Sequence, residues 1–272
     1  MKNEIPFIKM QGAGNDFVVI DNRPSYLDGT EIEIVRKLCD RHFGIGADGL
    51  MLLDFRQPDH FSLKYYNSDG KPAEMCGNGA RCAVYMMHLL NPAHKEFDFG
   101  VFGEPYSGSV TGTNRVKIYW NRSPLIINIA GLEKEVPTEF KRFLYVNSGV
   151  PHLVLEVQGE LGNFDITGWG AFFRNHPLFS PQGTNVNFVR LHDHEVTIRT
   201  FERGVEGETL ACGTGALAAA TAVHHWGQSP FPIDIQARGG LLTVDGSSDL
   251  SNMSLEGPVR RVFTGSVKRT DL

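Results

Sequence analysis

A chain of 272 residues, 41% apolar and 21% charged, has the makeup of a soluble globular protein with room for one large domain or two moderate ones, which excludes disordered and fibrous classes. A net charge of -5, with Lys and Arg scattered along the chain, excludes nucleic acid and anionic membrane as expected partners, and no run approaches the roughly 18 uninterrupted apolar residues of a membrane span. Glycine is in excess, at 30 residues, so many tight turns or close backbone approaches are expected.

The N-terminal run Met1 to Pro6 lacks the apolar core of a signal peptide, and the four cysteines, Cys39, Cys76, Cys82 and Cys212, show no Cys-x-x-Cys spacing. Both features predict a cytoplasmic protein with free thiols. Runs of β-branched and aromatic residues predict strands at 17–20, 50–55 and 61–66. Between the first two, Glu31 to Phe43 carries Ile34, Val35, Leu38 and Phe43 near helical spacing. The next segment, Gly44-Ile45-Gly46-Ala47-Asp48-Gly49, matches Gly-x-Gly-x-x-Gly. It follows a helix and leads into a strand, the reverse of the dinucleotide fingerprint, so nucleotide binding is not expected. Met75-Cys76-Gly77-Asn78 then opens a helix from Gly79 to Leu90. Further strands are predicted at 115–120, 143–146 and 186–190, and a second such helix from Gly215 to Trp226, directly after Ala211-Cys212-Gly213-Thr214. Pro124, Gly131 and Pro137 interrupt the pattern and mark a boundary within 121–139. His192-Asp193-His194 and His224-His225 lack companions at zinc spacing, so no metal is expected.

The two segments Cys76-Gly77-Asn78-Gly79-Ala80 and Cys212-Gly213-Thr214-Gly215-Ala216 share one pattern at an offset of 136 positions, half the length of the chain. The same offset aligns Phe17-Val18-Val19-Ile20 with Leu153-Val154-Leu155-Glu156, Asp48 to Leu52 with Thr184 to Phe188, and Tyr65-Tyr66-Asn67 with Phe201-Glu202-Arg203. An internal duplication is expected. The fold class that follows is α+β: two pseudo-symmetric domains, each a mixed or antiparallel sheet wrapped around a central helix, with residues 1–127 and 264–272 in one half and 128–263 in the other.

A cysteine just before a helix sits among amides that lack intrahelical acceptors, at the positive end of the macrodipole. The thiolate is stabilised there and becomes usable as base or nucleophile. The flanking glycines let a carboxylate approach the N–H groups of Gly77, Asn78, Gly213 and Thr214. Cys39 and Cys82 fall inside helical patterns and read as core residues. Two halves packed about a pseudo-two-fold axis would bring two thiols to one small molecule. An acid and a base on opposite faces of one carbon invert a stereocentre, so a two-base racemase or epimerase is expected.

The ordered set Gly12-Ala13-Gly14-Asn15-Asp16-Phe17, Arg41 to Gly49, Asn67-Ser68-Asp69-Gly70, Cys76 to Arg81, Gly183 to Phe188, Glu202-Arg203-Gly204 and Ala211 to Ala216 resembles the diaminopimelate epimerase family over nearly the whole chain. The resemblance implies a cofactor-independent epimerase of LL- and meso-diaminopimelate, on the route to lysine and peptidoglycan precursors, and a homodimer. It implies Cys76 and Cys212 as the acid/base pair, and His152 and Glu202 as groups that tune the thiols. Asn15, Asn67, Asn185 and the Glu202-Arg203 pair are the implied substrate contacts, with the amides of Gly77, Asn78, Gly213 and Thr214. Arg203 suits a distal carboxylate because its fork holds two oxygens. Val150 and Gly49 depart from the better-known pattern, in which Asn and Gln can stand there. The rivals are a proline racemase or hydroxyproline epimerase, whose ring substrate has no use for Glu202 and Arg203, a thiol redox protein, and a small amino-acid-binding module.

Overall fold

A computed structural model of the chain describes residues 4–73, 75–192 and 195–272. It divides into two compact units, 1–119 with 257–272, and 120–256. These junctions fall before the expected 127/128 and 263/264, because β7 ends at Tyr119 and the chain enters the second unit directly after it.

In the first unit β1 (Glu4–Gly12) and β2 (Asn15–Asp21) form a hairpin about Ala13-Gly14, both left-handed. α1 (Ile32–Cys39) connects β2 to β3 (Gly49–Phe55), which lies parallel to β2. β4 (His60–Asn67) pairs antiparallel to β3, α2 (Gly77–Leu90) follows, and β5 (Glu96–Val101), β6 (Glu104–Gly112) and β7 (Arg115–Tyr119) continue the sheet. α2 is buried from Gly77 to Val84 and packs on β1, β2, β6 and β7, so the sheet does wrap its helix.

The second unit repeats the order. β8 (Leu125–Ile126) and a short α3 (Leu132–Glu135) precede β9 (Phe140–Asn147), β10 (Pro151–Val157), α4 (Ile166–Arg174), β11 (Asn185–His192), β12 (Glu195–Glu202), β13 (Gly207–Thr209) and α5 (Gly213–His225). β14 (Ile233–Ala237), β15 (Gly240–Asp245) and β16 (Ser254–Pro258) complete it. β10 and β11 are parallel, as β2 and β3 are, and α5 is buried along almost its whole length. The last strand, β17 (Arg260–Lys268), returns to the first unit and pairs antiparallel with β1, just as β8 pairs with β9.

Two sequence expectations are corrected. The first predicted helix stops at Cys39, because the Asp40 side chain accepts from the amides of His42 and Phe43 and turns the chain; Phe43 ends up 94% exposed. The 136-residue register is not gapless either. Leu50 pairs with Tyr66 and Val186 with Phe201, and Phe17 pairs with Gly49 where His152 pairs with Asn185. β10 and β12 therefore sit one residue out of the offset, so Phe17 matches His152 and Arg203 does not stand opposite Asn67. The β10 slip enters at the hairpin, where Ala13-Gly14 turns the first unit and Ser148 N–H reaches Val150 O around Gly149 alone in the second; β11 is back on the offset, and the β12 slip enters between β11 and β12.

Candidate active site

Each cysteine of the repeated motif is the N-cap of its unit's buried helix. Cys76 (φ -107°, ψ 114°) and Cys212 (φ -117°, ψ 117°) have the extended backbone that lets the following residues enter a helix. The amide of Gly79 donates to Cys76 Sγ at 3.4 Å, and Cys212 Sγ lies 3.4 Å from the Thr214 hydroxyl. Both thiols are partly exposed, in contrast to Cys39 and Cys82. Burial pushes the Cys39 thiol up to about 12 and the Cys82 thiol higher still, so neither ionises near neutral pH.

In the first unit an ion-pair network aims Asn15 at the thiol. Asn15 Nδ2 donates to Asp48 at 2.5 Å, which leaves Asn15 Oδ1 to face Cys76 Sγ at 3.6 Å and Asn78 Nδ2 at 3.5 Å. Arg41 bridges Asp48 and Asp16, and Lys9 pairs with Asp16 at 2.6 Å. Burial alone would raise Asp16, but hydrogen bonds and charge from Arg41 and Lys9 outweigh it and hold the carboxyl at about 2. Arg81, fully buried on α2, donates to Asn78 Oδ1 at 2.7 Å and fixes that side chain in turn. Asn67 lies exposed at the end of β4, with its backbone turned toward Lys71 and Gly70.

In the second unit Ser148 Oγ donates to Thr214 O at 2.7 Å and ties the end of β9 to the first turn of α5. Gly12 holds the matching place against Asn78 O in the first unit, where a Cβ would stand only 2.9 Å from that oxygen. His152 is completely buried on β10, and burial first, then the charge of Arg203, pulls its imidazole down to about 3, so the ring is neutral at physiological pH. The side chain of Asn185 is committed to backbone: Nδ2 donates to Pro151 O at 2.9 Å and Oδ1 accepts from Arg203 N–H at 2.9 Å. Asn185 thus orients the Glu202-Arg203 corner and holds it beside Pro151-His152.

At Gly49, one of the two departing positions, a Cβ would fall 2.5 Å from the Tyr65 ring, so the glycine makes room for that tyrosine. No group of three or more metal-ligating side chains converges among the described residues; Asp193 and His194 lie outside them. His224 stacks on Phe231 and reaches Ser248 O.

The sequence matches the profile of the family described as Diaminopimelate epimerase over residues 7–120 and 144–262. The chain belongs to the diaminopimelate epimerase family. It is 40% identical to the diaminopimelate epimerase of Hydrogenobaculum sp. over 94% of this chain and 96% of that one, and 38% identical to that of Aquifex aeolicus over 95% and 96%. Members of the diaminopimelate epimerase family are isomerases, and this chain is one by descent. Its fold is shared with solved structures of far lower identity. A phenazine biosynthesis protein of the PhzF family from Bacillus anthracis gives a TM-score of 0.72 at 12% identity, covering 98% of this chain and 99% of the other. A hydroxyproline epimerase from Agrobacterium vitis gives 0.69 at 13%, covering 98% and 91%.

Sequence reading does not single out Asp48, Arg41 and Arg81 as the side chains that hold Asn15 and Asn78, nor Asn187 and Thr200 near His152. Asp48 lies in the glycine-rich segment and Arg41 just before it; both belong to the run that carries the family resemblance, but nothing in that run alone marks them as the partners of Asn15 and Asp16. An arginine in the first turns of an otherwise apolar helical run is the sequence signal for Arg81.

Proposed function

We propose that this protein interconverts LL- and meso-2,6-diaminopimelate by a cofactor-independent two-base reaction, with Cys76 and Cys212 as the acid/base pair. The observation that carries the reading is that two of four cysteines, and only these, cap a buried helix N-terminally with the thiol beside its first-turn amides. One thiolate removes the α-proton and the other thiol delivers a proton to the opposite face of the same carbon. The negative charge that develops on the α-carboxylate is met by helix-terminal amides of Gly77, Asn78, Gly213 and Thr214, which are fixed before the reaction begins. Asn15, Asn67 and Asn185 contact or border the substrate, Glu202 receives the distal ammonium and Arg203 the distal carboxylate. His152 and Glu202 tune the thiols. Family membership supports a place on the route to lysine and peptidoglycan precursors, in the cytoplasm and as a homodimer.

The test is exchange of the substrate α-proton in deuterium oxide, with LL-diaminopimelate and proline side by side. Deuterium entering diaminopimelate and not proline is expected; exchange into proline alone would overturn the assignment. Cys76→Ser and Cys212→Ser should each lose inversion by about a hundredfold or more while folding normally. Inversion that survives in either variant sinks the two-base mechanism.

A further inference from the structure

The second glycine of each helix mouth rests on three strand residues at matching ladder positions. In the first unit they are Phe17, Met51 and Tyr65: Met51 pairs with Tyr65, and Phe17 meets the Tyr65 ring edge to face at 5.8 Å. A Cβ on Gly79 would touch Met51 Sδ and Phe17. In the second unit the same positions hold His152, Asn187 and Thr200, with Asn187 paired to Thr200 and its Oδ1 directly under Gly215. All three are at most 3% exposed. Phe17, Met51 and the Tyr65 ring fill this place in one half, so packing does not require the polar set in the other. Burying three polar groups needs a reason beyond shape.

The hydrogen bonds within the trio supply it. Asn187 Nδ2 lies 3.0 Å from His152 Nδ1 and 3.4 Å from Leu153 O, while Oδ1 accepts from Thr200 Oγ1 at 3.0 Å. The Leu153 carbonyl only accepts, so the end of the amide that faces it is the nitrogen. An amide nitrogen only donates, so His152 Nδ1 must be unprotonated. The proton of the neutral ring is then on Nε2, and Nε2 is buried with no hydrogen-bond partner.

We infer that Asn187, oriented by Thr200, is a positioning residue: it locks His152 as the neutral Nε2–H tautomer and holds that N–H ready as a hydrogen-bond donor to an anionic group of the substrate. The inference rests on the epimerase reading for the identity of the anion, but not for the tautomer. The depressed imidazole, brought down by burial and then by the nearby positive charge of Arg203, agrees with a ring that is neutral at physiological pH. His152 is thereby excluded as a proton store of the reaction and works by an oriented dipole.

The experiment is long-range proton–nitrogen NMR on protein labelled with nitrogen-15 histidine, between about pH 6 and 9, beside steady-state kinetics. His152 is expected to show the Nε2–H pattern throughout. Asn187→Met installs the residue that fills the same place in the first unit; it should fold, give both neutral tautomers, and lower kcat about tenfold with KM changed less than about threefold. Thr200→Val frees the amide to turn and should shift the spectrum the same way, which decides the matter if Asn187→Met does not fold. An Nδ1–H or imidazolium pattern in the wild-type protein, or a pure Nε2–H pattern retained in a folded variant, overturns the inference. Because the tautomer is read without substrate, absent diaminopimelate turnover would defeat the proposed function and leave this result standing.

Discussion

A methyl group at Gly215 would stand 2.5 Å from Asn187 Oδ1 and 3.2 Å from the Cβ of Cys212. The oxygen cannot swing away, because its amide is held by Thr200 and His152. At Gly79 the nearest atom is Met51 Sδ at 3.3 Å, the middle of a flexible side chain. Gly215→Ala should therefore cost about 1–3 kcal/mol. Gly79→Ala should cost less than about 1 kcal/mol, because alanine's better helix propensity offsets a small displacement. Urea midpoints at unchanged slope measure both, and equal losses would refute the difference between the two floors. A second residue-scale prediction concerns Asp16. Its folded value of about 2 lies below the ordinary 3.8, so its ion pairs add stability that is complete above about pH 4 and lost as pH falls toward 2. Asp16→Asn should flatten the stability profile across that window; a profile as steep as the wild type's would show that other carboxylates control it.

The central helices α2 and α5 show how much of an element is readable. Their Ala-, Met- and Leu-rich runs after a Cys-Gly turn fix type and position within two residues. α4 was invisible for the same kind of physical reason that makes it pack. Gly168 and Gly170 lower its helix propensity, yet a Cβ on Gly170 would collide with the Phe201 ring at 2.5 Å, so the glycine that hides the helix lets it lie close on β12. The role of Asn187 was hidden for another reason, since it depends on His152 and Thr200, both distant in sequence. Arg81 also separates the two helices, because Leu217 takes its place in α5. Its guanidinium is fully buried, donates to Gly77 O and Asn78 Oδ1, and ion-pairs with no carboxylate among the described residues. Desolvation lowers it to about 10, which leaves it charged at neutral pH. A buried charge that gains so little compensation contributes little net stability, so Arg81→Met should change unfolding free energy by less than about 1 kcal/mol. A loss near 3 kcal/mol or more would mean that the cation is paired.

On the scale of the molecule, the duplication was legible because two Cys-Gly-x-Gly turns stand half a chain apart, and the repeat extends well beyond the segments that betrayed it. β5 and β14, and β6 and β15, also fall at matching places although their sequences share nothing obvious. What a fixed offset could not reveal were the one-residue slips of β10 and β12, which shorter connections introduce without disturbing the order of elements. The way the chain closes does follow from the repeat. A strand pairs with β9 from just before it in sequence, and its counterpart for β1 has to come from the far end of the chain. β17 meets β1 over eight residue pairs from Glu4 to Gln11, and Phe263 packs edge-on against Phe7. Ending the chain after Glu256 removes that strand, exposes a row of β1 backbone groups, and uncovers Ile5 and Phe7 on the side of the first unit. Hydrogen exchange on the truncated protein should show β1 and β2 losing protection by about tenfold or more while β10 and β11 keep theirs, because every ladder of the second unit's central strands lies within 120–256. Equal loss in both halves would show that they open as one cooperative body and that the C-terminal strand stabilises the whole chain.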